Sequence, residues 1–235
     1  MPGGGAARFS DELRAAAAAT WEAQHAHPFV RGIGDGTLPL DRFRHFVRQD
    51  YLYLVDYGRL LALACARAPE LATMRRFAEL TQAILVTEMD LHRAFAAEWD
   101  IAAAELEAEP ATPTTRAYVD FLLRTAALGD FAELVAALLP CMWGYAEVGA
   151  RLAAAQPADA APDANPYARW IATYADLEFQ ALADWCRGLT DELGAAAAPA
   201  ARARLHAAFA ESSRHELAFW DAAWRLEPAA TAGGR

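Results

Sequence analysis

The chain contains no lysine: all 21 of its basic side chains are arginine, set against 31 aspartates and glutamates for a net charge of −10. That balance excludes the basic face or stripe a nucleic-acid partner requires, and it leaves no polybasic segment for a membrane surface. Cysteine is also scarce. Cys65, Cys141 and Cys186 are odd in number and irregularly spaced, so they form no disulfide framework and are expected as free thiols in a reducing compartment. No uncharged apolar run reaches the ~18 residues of a membrane span. The opening MPGGGAARFSDELR has no basic region followed by an apolar core, so it reads as no signal peptide and the expected place is the cytoplasm. Strand-like alternation is missing as well, while apolar residues recur at helical spacing nearly throughout, which makes the fold class all-α.

With 55% hydrophobic and 22% charged residues in a chain of 235, there is material for one large core. No stretch resembles a linker, so residues 1–235 are read as one domain with its core at about 8–227 and a frayed tail at 228–235. Asp11 and Glu12 suit the first turn of a helix that follows Ser10. HPFVRGIGDGTLP (27–39) carries three glycines and two prolines and predicts a loop. Thr37 and Pro39 then open a long helix to about Arg67, and another is predicted from Leu71 to Trp99. Thr112 and Pro113 start the next, Gly129 ends it, and Asp130 caps the helix that contains Cys141. AAAQPADAAPDANP (153–166) reads as a surface loop, followed by helices at about 167–193 and 200–227.

Several side chains stand out on these helices. Asp50, Tyr53 and Tyr57 fall at i, i+3 and i+7, so a carboxylate and two phenols share one face: either tyrosine tips at a surface, or an acceptor with an aromatic wall for a flat polar ligand. In LLPCMWGYAEVG (138–149), Pro140 precedes Cys141, with Tyr145 one turn on. An interior proline costs ~3 kcal/mol and is tolerated best where a cavity lies alongside, although a buried cysteine is ordinarily just a small hydrophobe. Tyr174 and Glu178 are spaced one turn apart; Glu216 and Phe219 share a face beside Trp220, where the carboxyl is either solvated or desolvated with a raised pKa. Glu88 and His92 stand at i, i+4, but a di-iron bundle needs two Glu-x-x-His repeats, which the six histidines do not supply. No metal site and no cofactor are therefore expected, and Glu88 and His92 are expected to pair with each other or with Arg93 on the helix surface.

Taken together, HPFVRGIGDGTLPLDRFRHFVRQDYLYL, TEMDLHRAF, FAELVAALLPCMWGYAEVG, WIATYADLEF and SSRHELAFW resemble the TenA family, the thiaminase II or aminopyrimidine aminohydrolases, in the family's order over residues 8 to 224. The resemblance implies a haem-oxygenase-like helical bundle, usually a homotetramer, with its pocket among the helices. Cys141 matches the catalytic cysteine of the family's cysteine-containing branch and Glu216 the catalytic glutamate. Asp50 matches the carboxylate that takes the amino group and ring nitrogen of a pyrimidine; Tyr53, Tyr57, Tyr118, Tyr145 and Tyr174 match pocket positions, with Phe219 a ring-stacking neighbour.

The activity so implied is hydrolysis of 4-amino-5-aminomethyl-2-methylpyrimidine to the 5-hydroxymethyl pyrimidine and ammonia, in thiamine salvage. Cleavage of thiamine itself is implied at the same site. Thiol addition to the ring, with Glu216 protonating a ring nitrogen, would let the substituent leave. Three positions depart from the family pattern: His215, Met142 and Gly144, the last expected to enlarge a pocket wall. The alternatives are a non-catalytic pyrimidine-binding or regulatory protein, and an oxidase on the same fold.

Overall fold

The computed structural model describes residues 8–157 and 164–229, so parts of the predicted surface loop and tail lie outside the described residues. Twelve helices are present among the described residues, and no strand. The first three are α1 (Phe9–Ala16), α2 (Ala18–His25) and α3 (Pro28–Asp35). Two long pieces follow, α4 (Leu40–Arg67) and α5 (Leu71–Gln82), the latter continuing through a π-helical segment (Ala83–Glu88) into α6 (Met89–Ala97). Beyond α7 (Ala103–Ala108) come α8 (Pro113–Leu128), α9 (Phe131–Ala154), α10 (Ala168–Ala175), α11 (Leu177–Ala196) and α12 (Pro199–Arg225).

At the centre is α9, packed against α12, α11, α10 and α8 and buried without a break from Leu134 to Met142. Its start is set by a capping box: Asp130 Oδ1 accepts from the Glu133 N–H at 2.9 Å, and Glu133 Oε2 accepts from the Asp130 N–H at 3.0 Å. This helix is long and apolar enough to cross a membrane by length and composition, but 67% of its most apolar window is buried inside the bundle, as in a core helix. Pro140 sits within it, and nearby carbonyls receive side-chain hydroxyls: Ser212 donates to the Ala137 oxygen at 2.7 Å and Tyr57 to the Leu138 oxygen at 3.2 Å. Helices α4 and α8 are pinned together by Gln49, whose Oε1 accepts from the Thr112 N–H and the Thr115 hydroxyl, both at 2.9 Å. That crossing brings Tyr118 against Tyr53, with ring centroids 4.9 Å apart.

The fold departs from the sequence reading in four places. Residues 28–35 of the expected loop are helical. His27 caps the segment by accepting the Phe29 N–H, Pro28 occupies the first turn, and Gly36 ends it at φ +75°. Ser10 is inside α1, not ahead of it, and its N–H is taken by Asp191 Oδ1 at 2.7 Å, so another helix supplies the cap. The run 71–99 is divided by the π segment, with α7 following it. The run 167–193 breaks at Asp176, whose carboxylate accepts the Glu178 N–H at 2.8 Å and starts a new helix. Tyr174 and Glu178 are consequently not one helical turn apart on a common face.

Candidate active site

Residues from five segments meet in a narrow chamber beside α9. Its walls include Asp50, Tyr53 and Tyr57 from α4, Ile84 and Glu88 from the π segment, Cys141, Met142 and Tyr145 from α9, Tyr174 from α10 and Phe179 from α11. The free volume inside is about 10 Å³, near the limit for one water molecule. A ring can enter only if a wall moves. Next to it lies a cavity of about 660 Å³ that shares Ile84, Glu88, Met142, Tyr174 and Phe179 as its inner boundary and adds Thr87, Arg169, Asp176 and Glu178. The π segment therefore forms part of the partition between the two.

The i, i+3, i+7 face of α4 is on the chamber, as one of the two readings of that spacing requires. Tyr53 and Tyr57 stack with centroids 5.4 Å apart. Across from them, Tyr145 lies 5.0 Å from Tyr174. Tyr118, Glu216 and Phe219 form a second layer behind Tyr53: Phe219 is 5.8 Å from the Tyr53 ring, and Glu216 is buried against the Tyr118 hydroxyl. His215 stacks on Tyr118 at 5.1 Å, with its rings nearly parallel. Gly144 faces away from the chamber: a Cβ there would meet Gln24 Oε1 at 4.0 Å, so it enlarges no chamber wall. Met142 does line both cavities.

Glu88 and His92 overturn the surface pairing expected of them. His92 is buried, with Nε2 2.7 Å from Asp50 Oδ2 and Nδ1 2.9 Å from the Glu88 carbonyl oxygen. The Glu88 side chain turns the other way and accepts the Tyr174 hydroxyl proton at 2.7 Å. A signal for this existed in the sequence: Ile84, Glu88, His92 and Phe95 recur at helical spacing, a polar pair on an otherwise apolar stripe.

The chamber's electrostatics follow from crowding carboxyls into a dry space. Burial carries Glu216 up to about 8; a proton from Tyr118 directed at it works against that rise, and the Asp50 charge adds to it. Burial likewise takes Glu88 to about 7, opposed by His92 and helped by Asp50. The Cys141 thiol is pushed well above its ordinary value by burial and by Glu216, eased by Tyr53, and pushed again by Glu88 and Asp50. The Tyr53 hydroxyl is itself buried without a hydrogen-bond partner.

Ser212 donates to the Ala137 carbonyl at 2.7 Å, and its oxygen also lies 3.1 Å from the Tyr118 hydroxyl. Tyr118 donates to Glu216, and Ser212 Oγ competes for the same proton. Burial outweighs that hydrogen bond and favours Glu216 as a neutral carboxylic acid. The site thus sets a cysteine in an aromatic enclosure between an acceptor carboxylate and two carboxyls that hold protons near neutral pH.

Residues 14–226 match the model of the TENA/THI-4/PQQC family. An aminopyrimidine aminohydrolase of Halalkalibacterium halodurans is 44% identical over 92% of this chain and 95% of that protein. The structure of a TenA homologue from P. horikoshii superposes with a TM-score of 0.82 at 32% identity, covering 93% of this chain and 99% of that one. A haem-oxygenase-like domain from Shewanella denitrificans, 13% identical, shares the fold with a TM-score of 0.69 over 92% of each chain.

Proposed function

The chain belongs to the TENA/THI-4/PQQC family, and from that premise we propose that it is an aminopyrimidine aminohydrolase of thiamine salvage that uses Cys141 as nucleophile. Relatives that carry this activity's name cover nearly the whole chain, which supports the hydrolase reading. The observation that carries the residue assignment is Cys141 on the chamber wall with Asp50 and Glu88, while Glu216 stands behind Tyr53 as a protonated acid.

In this reading the aminopyrimidine lies among Tyr53, Tyr57, Tyr145 and Tyr174, its exocyclic amino group donating to Asp50. The Cys141 sulfur adds to the ring carbon adjacent to the substituted position, the displaced electron pair moves to a ring nitrogen, and Glu216 supplies the proton there. The lone pair of the ring's amino group then pushes through the ring toward the exocyclic carbon and expels the substituent as an amine, the positive charge this leaves on the amino group facing Asp50. Water adds to the resulting methylene, and departure of the thiol restores the aromatic ring. The resting thiol is too well protonated to be a thiolate reservoir. A cationic substituent, ammonium or thiazolium, counters the carboxylate field that holds the proton on sulfur, so substrate binding itself promotes its loss. The outer cavity of about 660 Å³, which shares Glu88, Met142 and Tyr174 with the chamber, gives the departing ammonia or thiazole somewhere to go. This supports thiamine cleavage as a second activity of the same site.

We also assign the protein to the cytoplasm as a homotetramer. The exposed Leu85 and Val86 beside the site offer apolar surface for a subunit contact, which light scattering of the purified chain tests. Parallel assays of ammonia and hydroxymethyl pyrimidine release from the aminomethyl pyrimidine and from thiamine test the function. Binding of both without any product would leave a pyrimidine-binding protein.

A further inference from the structure

Of the six histidines, His92 is the one that is buried, and the reaction outlined above makes no use of it. Its protons can be counted. The Glu88 carbonyl oxygen only accepts, so Nδ1 at 2.9 Å must carry a hydrogen. Nε2, 2.7 Å from Asp50 Oδ2, then either carries a second hydrogen, making an imidazolium against a carboxylate, or receives one from a neutral Asp50. The two side chains are 1% and 3% exposed, so no water competes for the bond. Burial by itself disfavours the charged ring, but Asp50 and then Glu88 outweigh it, and the His92 pKa ends above its ordinary value. Arg93, the next residue, is directed at Asp90 and Tyr51 and lends no charge to the pair.

We propose that His92 is a positioning residue for the hydrolase: held as an imidazolium between Asp50 and the Glu88 carbonyl, it fixes the Asp50 carboxylate as the acceptor for the substrate's amino group and balances the chamber's negative charge. Asp50 and Glu88 act on it directly, and the ionisable groups that share the chamber with them are Tyr53 and Tyr57 on α4, Cys141 and Tyr145 on α9, Tyr174 on α10 and, behind Tyr53, Glu216 on α12. None of these is a base that stays cationic at neutral pH, so His92, bonded to the chamber wall through Asp50, is the positive charge in this group. With His92 anchored to the backbone, one Asp50 carboxylate oxygen is occupied, leaving Oδ1 as the freer oxygen for a ligand.

The inference rests on the aminopyrimidine reading, and its test separates the two. Nitrogen NMR of the wild-type protein labelled at histidine, with His92 assigned by its loss in His92→Asn, reads the protonation state at about pH 7.5, a unit above the ordinary histidine range. Two protonated ring nitrogens are expected; a single protonated nitrogen overturns the proposal. His92→Asn keeps an amide donor but not the charge, and losing a charge-assisted hydrogen bond should raise KM for the aminomethyl pyrimidine and the Kd of the hydroxymethyl product about ten- to a hundredfold, with a smaller change in kcat. Wild-type product binding should also weaken as pH rises through the His92 pKa, and the variant should lose that dependence. A KM within about twofold of wild type overturns the inference even where wild type turns over normally. Where the variant does not fold, the His92 ring is assigned through bonds in the wild type, and its protonation state and the wild-type binding profile decide. No turnover by wild type sinks the hydrolase reading instead, while the protonation state of His92 is still measured.

Discussion

Ser212 shows how far a side chain can act without touching substrate. Its hydroxyl is committed to the Ala137 carbonyl, and its oxygen lies 3.1 Å from the Tyr118 hydroxyl, the group that donates to Glu216. Ser212→Ala removes the oxygen that competes for the Tyr118 proton, so Tyr118 donates more fully to Glu216 and the acid should be lost at lower pH. In wild type, activity that needs neutral Glu216 falls as pH rises through about 8. The Ser212→Ala pH–rate profile of kcat/KM should have its alkaline limb displaced downward by about a unit, with the rate near pH 6 little changed. An unmoved limb would mean that Ser212 does not compete for the Tyr118 proton. Glu216→Gln, which cannot give up a proton, should lower kcat about a hundredfold or more with a smaller effect on ring binding.

The π segment is the element on which access and alignment depend. An α-helix through residues 71–97 would lack the extra residue per turn that the segment carries, and Glu88 and His92 would rotate relative to Ile84. Deleting the exposed Thr87 should restore α-helical register, keep the far-UV circular dichroism of the wild type, and cost about a hundredfold or more in kcat/KM by moving His92 off Asp50. Unchanged activity would show that the segment's register is immaterial. This element also marks where sequence reading ran out. The Asp50, Tyr53, Tyr57 face was legible because helical periodicity is local, and the capping residues Thr112 and Asp130 announced their helices for the same reason. The π segment has no comparable local mark, whereas Asp176 carries the same capping signal as Asp130 and is masked because the apolar pattern runs on through it. The Asp50–His92 bond spans 42 positions, so neither segment names the other as its partner, although the apolar stripe around Glu88 and His92 marks that pair as facing the core. In α3 the signals for a helix, Pro28 and Gly36, were present but outweighed by the glycines between them.

Across the whole molecule, stability should record the protons that the chamber retains. Glu88 and Glu216 have folded-state values of about 7 and about 8 against an ordinary 4.5, so their contribution is complete below pH 4.5 and is lost as pH rises through those values. Glu147 behaves oppositely. Burial pushes it up, but hydrogen bonds from His25 and Arg14 bring it down to about 2, so its contribution is present above 4.5 and lost as pH falls toward 2. Calorimetry should therefore find Tm highest on the acid side of neutrality and falling by pH 8, with a loss of roughly a few kcal/mol that Glu216→Gln reduces. A Tm that climbs from pH 5 to 8 would contradict the protonated-acid assignment. The catalytic claim as a whole is tested most directly by ammonia release from the aminomethyl pyrimidine, with mass detection of the hydroxymethyl product, for wild type and Cys141→Ser together with pyrimidine binding. The account predicts wild-type turnover that drops by roughly a thousandfold or more in the variant while ring binding stays within about threefold. Turnover in Cys141→Ser within about tenfold of wild type would show that sulfur is not the nucleophile.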